Sequence, residues 1–267
     1  MRRQILLSTL LTIALLLASA TAVAQEDESS QKADELPSVD EVIDKLDDLY
    51  RANSSHGRMR MTVQKERGTR KLEMESWSKG EELFLVVIRE PARESGTATL
   101  KTEEGLWNYA PRADRLIRIP SGLLSDNWMG SHFTNEDLVR ETSYDEDYES
   151  EIGWGELNGH KRLRLTMTPR PDAPVVWQKV VFYLRAEDWL PVETHFYDDG
   201  EVVRVMNYSQ IENIGGRKIP TVMELQPKTE GKEDEKTRVE YLEMKWNIDV
   251  DKGKFSKRGL RREARRR

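Results

Sequence analysis

Four histidines, at positions 56, 132, 160 and 195, are the first residues to ask for chemistry, and no two are close in sequence. His132 comes nearest to a catalytic setting. It follows Ser131 and stands shortly before Asp137, the residue types of an activated hydroxyl nucleophile. The G-x-S-x-G spacing that exposes such a serine on a tight turn is absent. Metal binding is equally unsupported: there is no His-x-x-x-His pair, and "DNWMGSHFTNED" lacks the alternating oxygen ligands and closing Glu of a calcium loop. "NIGGRK" is glycine-rich but has no helix start to aim N–H groups at a phosphate. The chain contains no cysteine, which excludes disulfides, thiolate metal sites and lipid attachment through an N-terminal Cys. The residues therefore assign no catalytic group, metal or cofactor, and the chain reads as a non-enzyme.

What remains is apolar chemistry. Met59, Met61, Met74, Trp107, Trp128, Met129, Phe133 and Met167 are large side chains in a chain that is 34% charged. Methionine fills irregular space and tolerates repacking, which suits a site for flexible hydrocarbon. Methionines at strand spacing also make ordinary core, and that alternative stands for most of them. "NWMGSHF" resists it, because turn-forming Asn, Gly and Ser surround its Trp, Met and Phe.

The elements that must position these residues are mostly strands. "GRMRMTVQKERG" and "TRKLEMESW" alternate apolar with charged residues, whereas "ELFLVVIREP" is apolar on both parities, as in a strand covered on both faces. Short strands follow in "TATLK", "LWNYAP" and "RLIRIP". "ESEIGWGEL" and "HKRLRLTMTP" flank Asn158-Gly159, a strong hairpin signal. "VVWQKVVFYLR", "LPVETHFYD", "EVVRVMNYS", "KIPTVMELQP" and "TRVEYLEMKW" complete an antiparallel meander of about ten or eleven strands. Two helices accompany it. "SVDEVIDKLDDLYRA" opens with a Ser38–Glu41 capping box and carries an apolar face of Val39, Val42, Leu46 and Leu49; Thr134 and Asp137 cap "NEDLVR". A long sheet, charged on one side, must curl and hide its other side. A curled sheet holding helices in its concave face uses every part; a two-sheet sandwich leaves the amphipathic helix without a bed.

"MRR", the apolar run "ILLSTLLTIALLLASA" and the small-residue "AVA" form a secretory signal over residues 1–24, cleaved after Ala24; the alternative is an uncleaved anchor. Residues 25–36 read as a disordered polar segment, 37–255 as one domain, and 256–267 as a basic C-terminal tail. After cleavage the net charge is near −8, which argues against nucleic acid as a partner. Nine Lys or Arg against one Glu follow Asp251. This end is either solvated and frayed or a patch for anionic head groups or an acidic partner.

"ESGTATLK", "LWNYAPRADRLIRIP" and "NWMGSHFTNEDLV" together resemble the outer-membrane lipoprotein-sorting proteins, a branch of the LolA-like superfamily, and "FSKRGL" is similar to that family's C-terminal end. The likeness extends over the chain after residue 24 and is densest from Glu94 to Val139. It implies a mainly β fold with α: a highly curved, unclosed antiparallel half-barrel whose concave face holds helices. It also implies a periplasmic carrier that holds acyl chains of a lipoprotein or lipid. No residue here matches the functional arginine of LolA. On this reading "SGLLSDNWMGSHF" is a lid, with Leu123, Leu124, Trp128, Met129 and Phe133 over the cavity mouth and Gly122 and Gly130 as hinges. The alternative role is an accessory subunit of an ABC- or RND-type inner-membrane exporter that grips a partner's segment.

Overall fold

Thirteen strand segments, most of them alternating apolar with charged or polar residues, build one continuous antiparallel sheet. The computed structural model describes residues 36–266 except 51, 81, 140–146 and 174. The expected signal peptide at 1–24 and nearly all of the expected polar segment at 25–36 lie outside the described residues. The chain divides at Pro37/Ser38, and all thirteen strands belong to the unit Ser38–Arg267.

The strands are β1 (Ser54–Lys65), β2 (Gly68–Lys79), β3 (Leu83–Glu90), β4 (Ala98–Thr102), β5 (Gly105–Ala110), β6 (Arg115–Ile119), β7 (Tyr148–Leu157), β8 (His160–Pro169), β9 (Lys179–Arg185), β10 (Pro191–Asp198), β11 (Glu201–Ile214), β12 (Arg217–Pro227) and β13 (Lys236–Trp246). The sheet thus has thirteen strands, more than the ten or eleven expected. The shortest runs, β4 and β6, are full members, because tight turns at Gly105 and Asp114, both at positive φ, let five residues pair. Asn158 and Gly159 have φ of 54° and 77° and join Leu157 to His160 in the two-residue turn that strand twist favours.

Spatial order is β6-β5-β4-β3-β2-β1-β13-β12-β11-β10-β9-β8-β7. Every neighbour is a chain neighbour except β1 and β13, which pair from Ser55–Trp246 to Gln64–Lys236. The two edges, β6 and β7, follow each other in sequence. The half-barrel is open between them, and the segment joining them contains Ser121–Phe133, the stretch that reads as a lid.

Directly opposed residues share a face of a sheet. Met61 faces Leu72 and Val239, Met59 faces Met74, and Met74 faces Ile88; these lie inside. Trp77, Leu85, Leu100 and Trp107 lie in one cross-strand row on the outside. Helix α1 (Val39–Leu49) begins with the expected capping box at Ser38 and Glu41 and buries Val42 and Ile43 against Leu163, Leu165, Met167 and Phe182. The lid segment covers the other half of the concave face, where Trp128 joins Met61, Leu72, Met74 and Val86.

Of the two readings of the C-terminal end, the solvated, frayed tail does not hold. It forms α3 (Lys257–Arg265), which seats Leu260 and Ala264 on Leu85, Val87, Ala98 and Leu100 of the outer face. This second cover explains why β3 is apolar on both parities. The misreading has a simple cause: the apolar residues of α3 are few and small among its arginines, and Gly259 carries part of the seat. A Cβ at Gly259 would overlap the carbonyl oxygens of Gly253 and Lys254. Gly259→Ala should therefore destabilise the fold by about 1–3 kcal/mol. Denaturant melts would read this, with hydrogen exchange rising first in residues 257–265.

Candidate functional site

Between α1 and the lid, on the concave face, lies a cavity of about 210 Å³. Leu46, Leu49 and Tyr50 bound it from α1 and its end; Met59, Met74, Phe84 and Val86 from β1–β3; Phe182, Phe196, Met206 and Met223 from the far half of the sheet; and Trp128, Phe133 and Leu138 from the lid. Its polar lining is sparse, with Asp47, Glu136, Asp137 and Tyr208 among it.

The lid has its own architecture. A 3₁₀ turn at Ser121–Leu123 leads to a second at Trp128–Gly130, where Met129 has φ 48° and Gly130 φ 70°. The short helix α2 (Asn135–Val139) follows, and Thr134 and Asp137 exchange the expected capping hydrogen bonds, Thr134 N to Asp137 Oδ2 at 2.7 Å and Asp137 N to Thr134 Oγ1 at 3.3 Å. Backbone bonds from Asn135 N to the Asp126 carbonyl and from Glu136 N to the Leu124 carbonyl tie the first turn to the helix.

Polar bonds hold this segment down along its length. The Trp128 indole N–H donates to Thr99 Oγ1 of β4 at 3.0 Å. Arg70 of β2 donates to the Met129 carbonyl at 2.6 Å and is itself braced by Glu94. The His132 backbone N–H donates to Thr237 Oγ1 of β13 at 3.0 Å, and its ring nitrogens lie 2.8 Å from that oxygen and 3.2 Å from Glu235. The Val176 N–H donates to Glu136 Oε1 at 3.0 Å. Most telling is Arg204 of β11, whose two terminal nitrogens donate to both oxygens of Asp137 at 2.8 and 2.6 Å. The Arg204 side chain is only 6% exposed. Its guanidinium sits in the corner formed by Trp177 and Phe196, 4.0 and 3.9 Å from ring centres that are themselves 5.5 Å apart and tilted by 61°. A fork bonded twice to a carboxylate and held against two rings is a rigid attachment.

The residues of the hydrolase-like trio face different partners. Ser131 Oγ donates to the Trp128 carbonyl, His132 faces Thr237 and Glu235, and Asp137 holds Arg204. Among the described residues no group of three His, Asp or Glu is placed to hold a metal.

Of the apolar candidates, Met59, Met74, Trp128 and Phe133 line the cavity. Met61 and Met167 are fully buried in the clusters beneath the lid and beneath α1. Met129 is partly buried against the lid cluster. Trp107 is on the outer face, under Arg118 and Lys257. Leu123 is 43% exposed and Leu124 half-buried. Gly122 is exposed with open space around its Cα, whereas Gly130 needs its positive φ. Sequence reasoning missed Arg204, Trp177 and Phe196, and took Asp137 as a cap and as the acid of a hydrolase-like trio. The available signal was parity: Arg204 shares the inward face of β11 with Met206 and Tyr208.

His132 gives the packing of this segment a pH dependence. Burial pushes its pKa below the ordinary 6.5, with Lys65 and Lys232 acting the same way and Glu235 opposing. The Glu235 carboxyl is held below 4.5, first by its bond to His132 and then by the Glu66 N–H. Depressed folded values mean that the unfolded chain binds more protons on acidification, so the stability contributed by this contact is full above pH 6.5 and is lost as pH falls below it. Protection factors across 128–138, referred to the intrinsic exchange rate at each pH, should fall between neutral and mildly acidic pH, and His132→Gln should flatten that response.

A family model described as "Uncharacterized protein" matches residues 80–262. No curated protein matches the sequence. Among solved structures, an outer membrane lipoprotein-sorting protein domain from Vibrio parahaemolyticus is similar at TM-score 0.70 and 21% identity, over 83% of this chain and 97% of that one. A LolA superfamily protein, NE2245 from Nitrosomonas europaea, is similar at 0.69 and 23%, over 83% and 98%. A DUF1329 family protein from Desulfovibrio piger ATCC 29098 is similar at 0.72 and 20%, over 82% and 96%. At these identities the likeness is one of fold.

Proposed function

The chain belongs to the family whose model spans residues 80–262 and shares the fold of the LolA superfamily structures, and from that premise we propose that it is a periplasmic carrier that shelters acyl chains of a lipoprotein or lipid on the way to the outer membrane. Export by the signal at 1–24 and a non-catalytic role are part of this reading. The observation that carries it is the apolar cavity on the concave face, roofed by a segment that is attached largely through polar bonds. Hydrocarbon inside that roof would be dry, and the bonds holding the roof can be exchanged for water when it lifts.

Magnitudes favour a lid that moves. Each buried methylene is worth about 0.8 kcal/mol, so a long acyl chain in water is unfavourable by on the order of 10 kcal/mol. Pockets that enclose drug-sized ligands run to roughly 300–1,000 Å³, above the 210 Å³ available here. Cargo therefore enters by displacing Trp128, Phe133 and Leu138, and restoring their contacts helps expel it. Leu123 and Leu124 travel with the lid, and Gly130 accommodates the backbone change.

Native mass spectrometry of the protein purified from its own envelope, followed by solvent extraction, tests the proposal. Bound phospholipid or acylated peptide is the expected result. A protein that is empty and co-purifies with a membrane exporter subunit would replace the carrier with the accessory role.

A further inference from the structure

Helix α3 carries more positive charge than its packing explains. Gly259, Leu260, Glu263 and Ala264 face the sheet and are buried. Lys257, Arg258, Arg262 and Arg265, together with Arg266 beyond the helix, are exposed. Arg258, Arg262 and Arg265 recur at i, i+4 and i+7 and so form one stripe. The one carboxylate of residues 252–267, Glu263, points inward at 1% exposure and is paired with Lys254 at 3.1 Å and Arg266 at 3.2 Å. No negative charge of the helix reaches its outer surface.

Helix stability does not ask for this arrangement. Lys257 and Arg258 occupy the first turn, where the helix dipole disfavours cations, and no acid accompanies them there. Among the described residues Arg258 and Arg265 make no ion pair, whereas Lys257, Arg261 and Arg262 approach Glu104, Asp114 and Asp251 at 3.6, 3.3 and 3.9 Å.

We propose that this stripe docks the protein on the surface of an anionic phospholipid bilayer. A protein partner would be expected to find an aromatic or aliphatic anchor at the centre of its contact, and the exposed positions of α3 offer only Lys and Arg. A diffuse layer of phosphate charge needs no such anchor and attracts each nearby cation. The rest of the chain holds the entire negative excess, so the field of the bilayer orients the molecule with α3 inward. Because α3 covers the outer face of β3 and β4, this docking leaves the lid on the concave face unobstructed. The inference is independent of what the cavity carries.

Vesicle flotation of the full chain tests it, comparing phosphatidylcholine alone with phosphatidylcholine containing phosphatidylglycerol. The neutral vesicles measure whatever the apolar run near the N-terminus contributes. Binding to the anionic vesicles should exceed that level, fall several-fold on raising salt, and drop more than about tenfold in Arg258→Glu/Arg265→Glu. Arg258→Lys/Arg265→Lys should retain it, and an unchanged thermal melt confirms that the Glu variant is folded. Equal binding to both vesicle types, or anionic binding untouched by the Glu pair, would overturn the proposal. So would an acidic protein that co-purifies through Arg258 and Arg265 while anionic vesicles are ignored.

Discussion

Asp137→Ala is expected to release the lid. It leaves the buried Arg204 guanidinium against Trp177 and Phe196 with no ion-pair partner among the described residues. Breaking a buried pair from one side costs about 3–5 kcal/mol; Asp137 is 19% exposed, so about 3 kcal/mol is the reasonable figure. The protein need not unfold to relieve this, because lifting α2 gives Arg204 access to water. Lid opening should rise by roughly two orders of magnitude, seen as faster hydrogen exchange in 128–138. Affinity for a fluorescent fatty acid should rise with it, since the ligand no longer has to break the attachment. The pair Asp137→Leu/Arg204→Met should restore slow exchange, because an apolar pair of similar size carries no unpaired charge. If the single variant lost only global stability, with the exchange of the lid and of the strands rising together, Arg204–Asp137 would be a fold element and not a latch.

Trp128→Ala should have an effect of similar size and a different signature. Trp128 is 5% exposed, packs on Met61, Met74 and Val86, and bonds Thr99. Truncating a buried Trp costs about 3–5 kcal/mol and leaves Thr99 facing a void. That void joins the existing cavity, so a saturated fatty acid should recover part of the lost stability by filling it. The expected result is a lower melting temperature without ligand and a larger ligand-induced shift than in the parent protein. Phe133→Ala, which trims the same wall without the Thr99 bond, should show a smaller loss and a similar shift. Unchanged acyl binding in both would remove the lid from the carrier mechanism.

Much of this architecture was legible from local pattern. Alternation located the strands, Asn158-Gly159 gave a turn with both residues at positive φ, and the capping boxes at Ser38 and Thr134 gave helix starts. Trp128 and Phe133 stood out because turn residues surrounded them. What was not legible depends on pairing across the sheet. Met61 and Met59 share a parity, yet only Met59 reaches the cavity, since depth along a strand is set by where the lid lies over it. Asp137 and Arg204 are 67 residues apart, and only sheet curvature brings them together. Helix α3 was hidden by its own composition, because its seat is made of Gly259, Leu260 and Ala264 among arginines.

The seam between β1 and β13 also bears on how the molecule comes to be made. All other ladders join neighbours in sequence, so β1–β6 and β7–β13 are two runs of local hairpins that form quickly. The seam closes the longest loop in the fold, with Gln64 waiting for Lys236 and Ser55 for Trp246. A chain delivered N-terminus first presents β1 as an unpaired edge lined by Met59, Met61 and Val63 until its last strand arrives. Such an edge invites strand addition from another chain. Weakening the β13 side, for example with Val239→Pro, should therefore lower the yield of folded protein far more than it alters any property of the molecules that succeed.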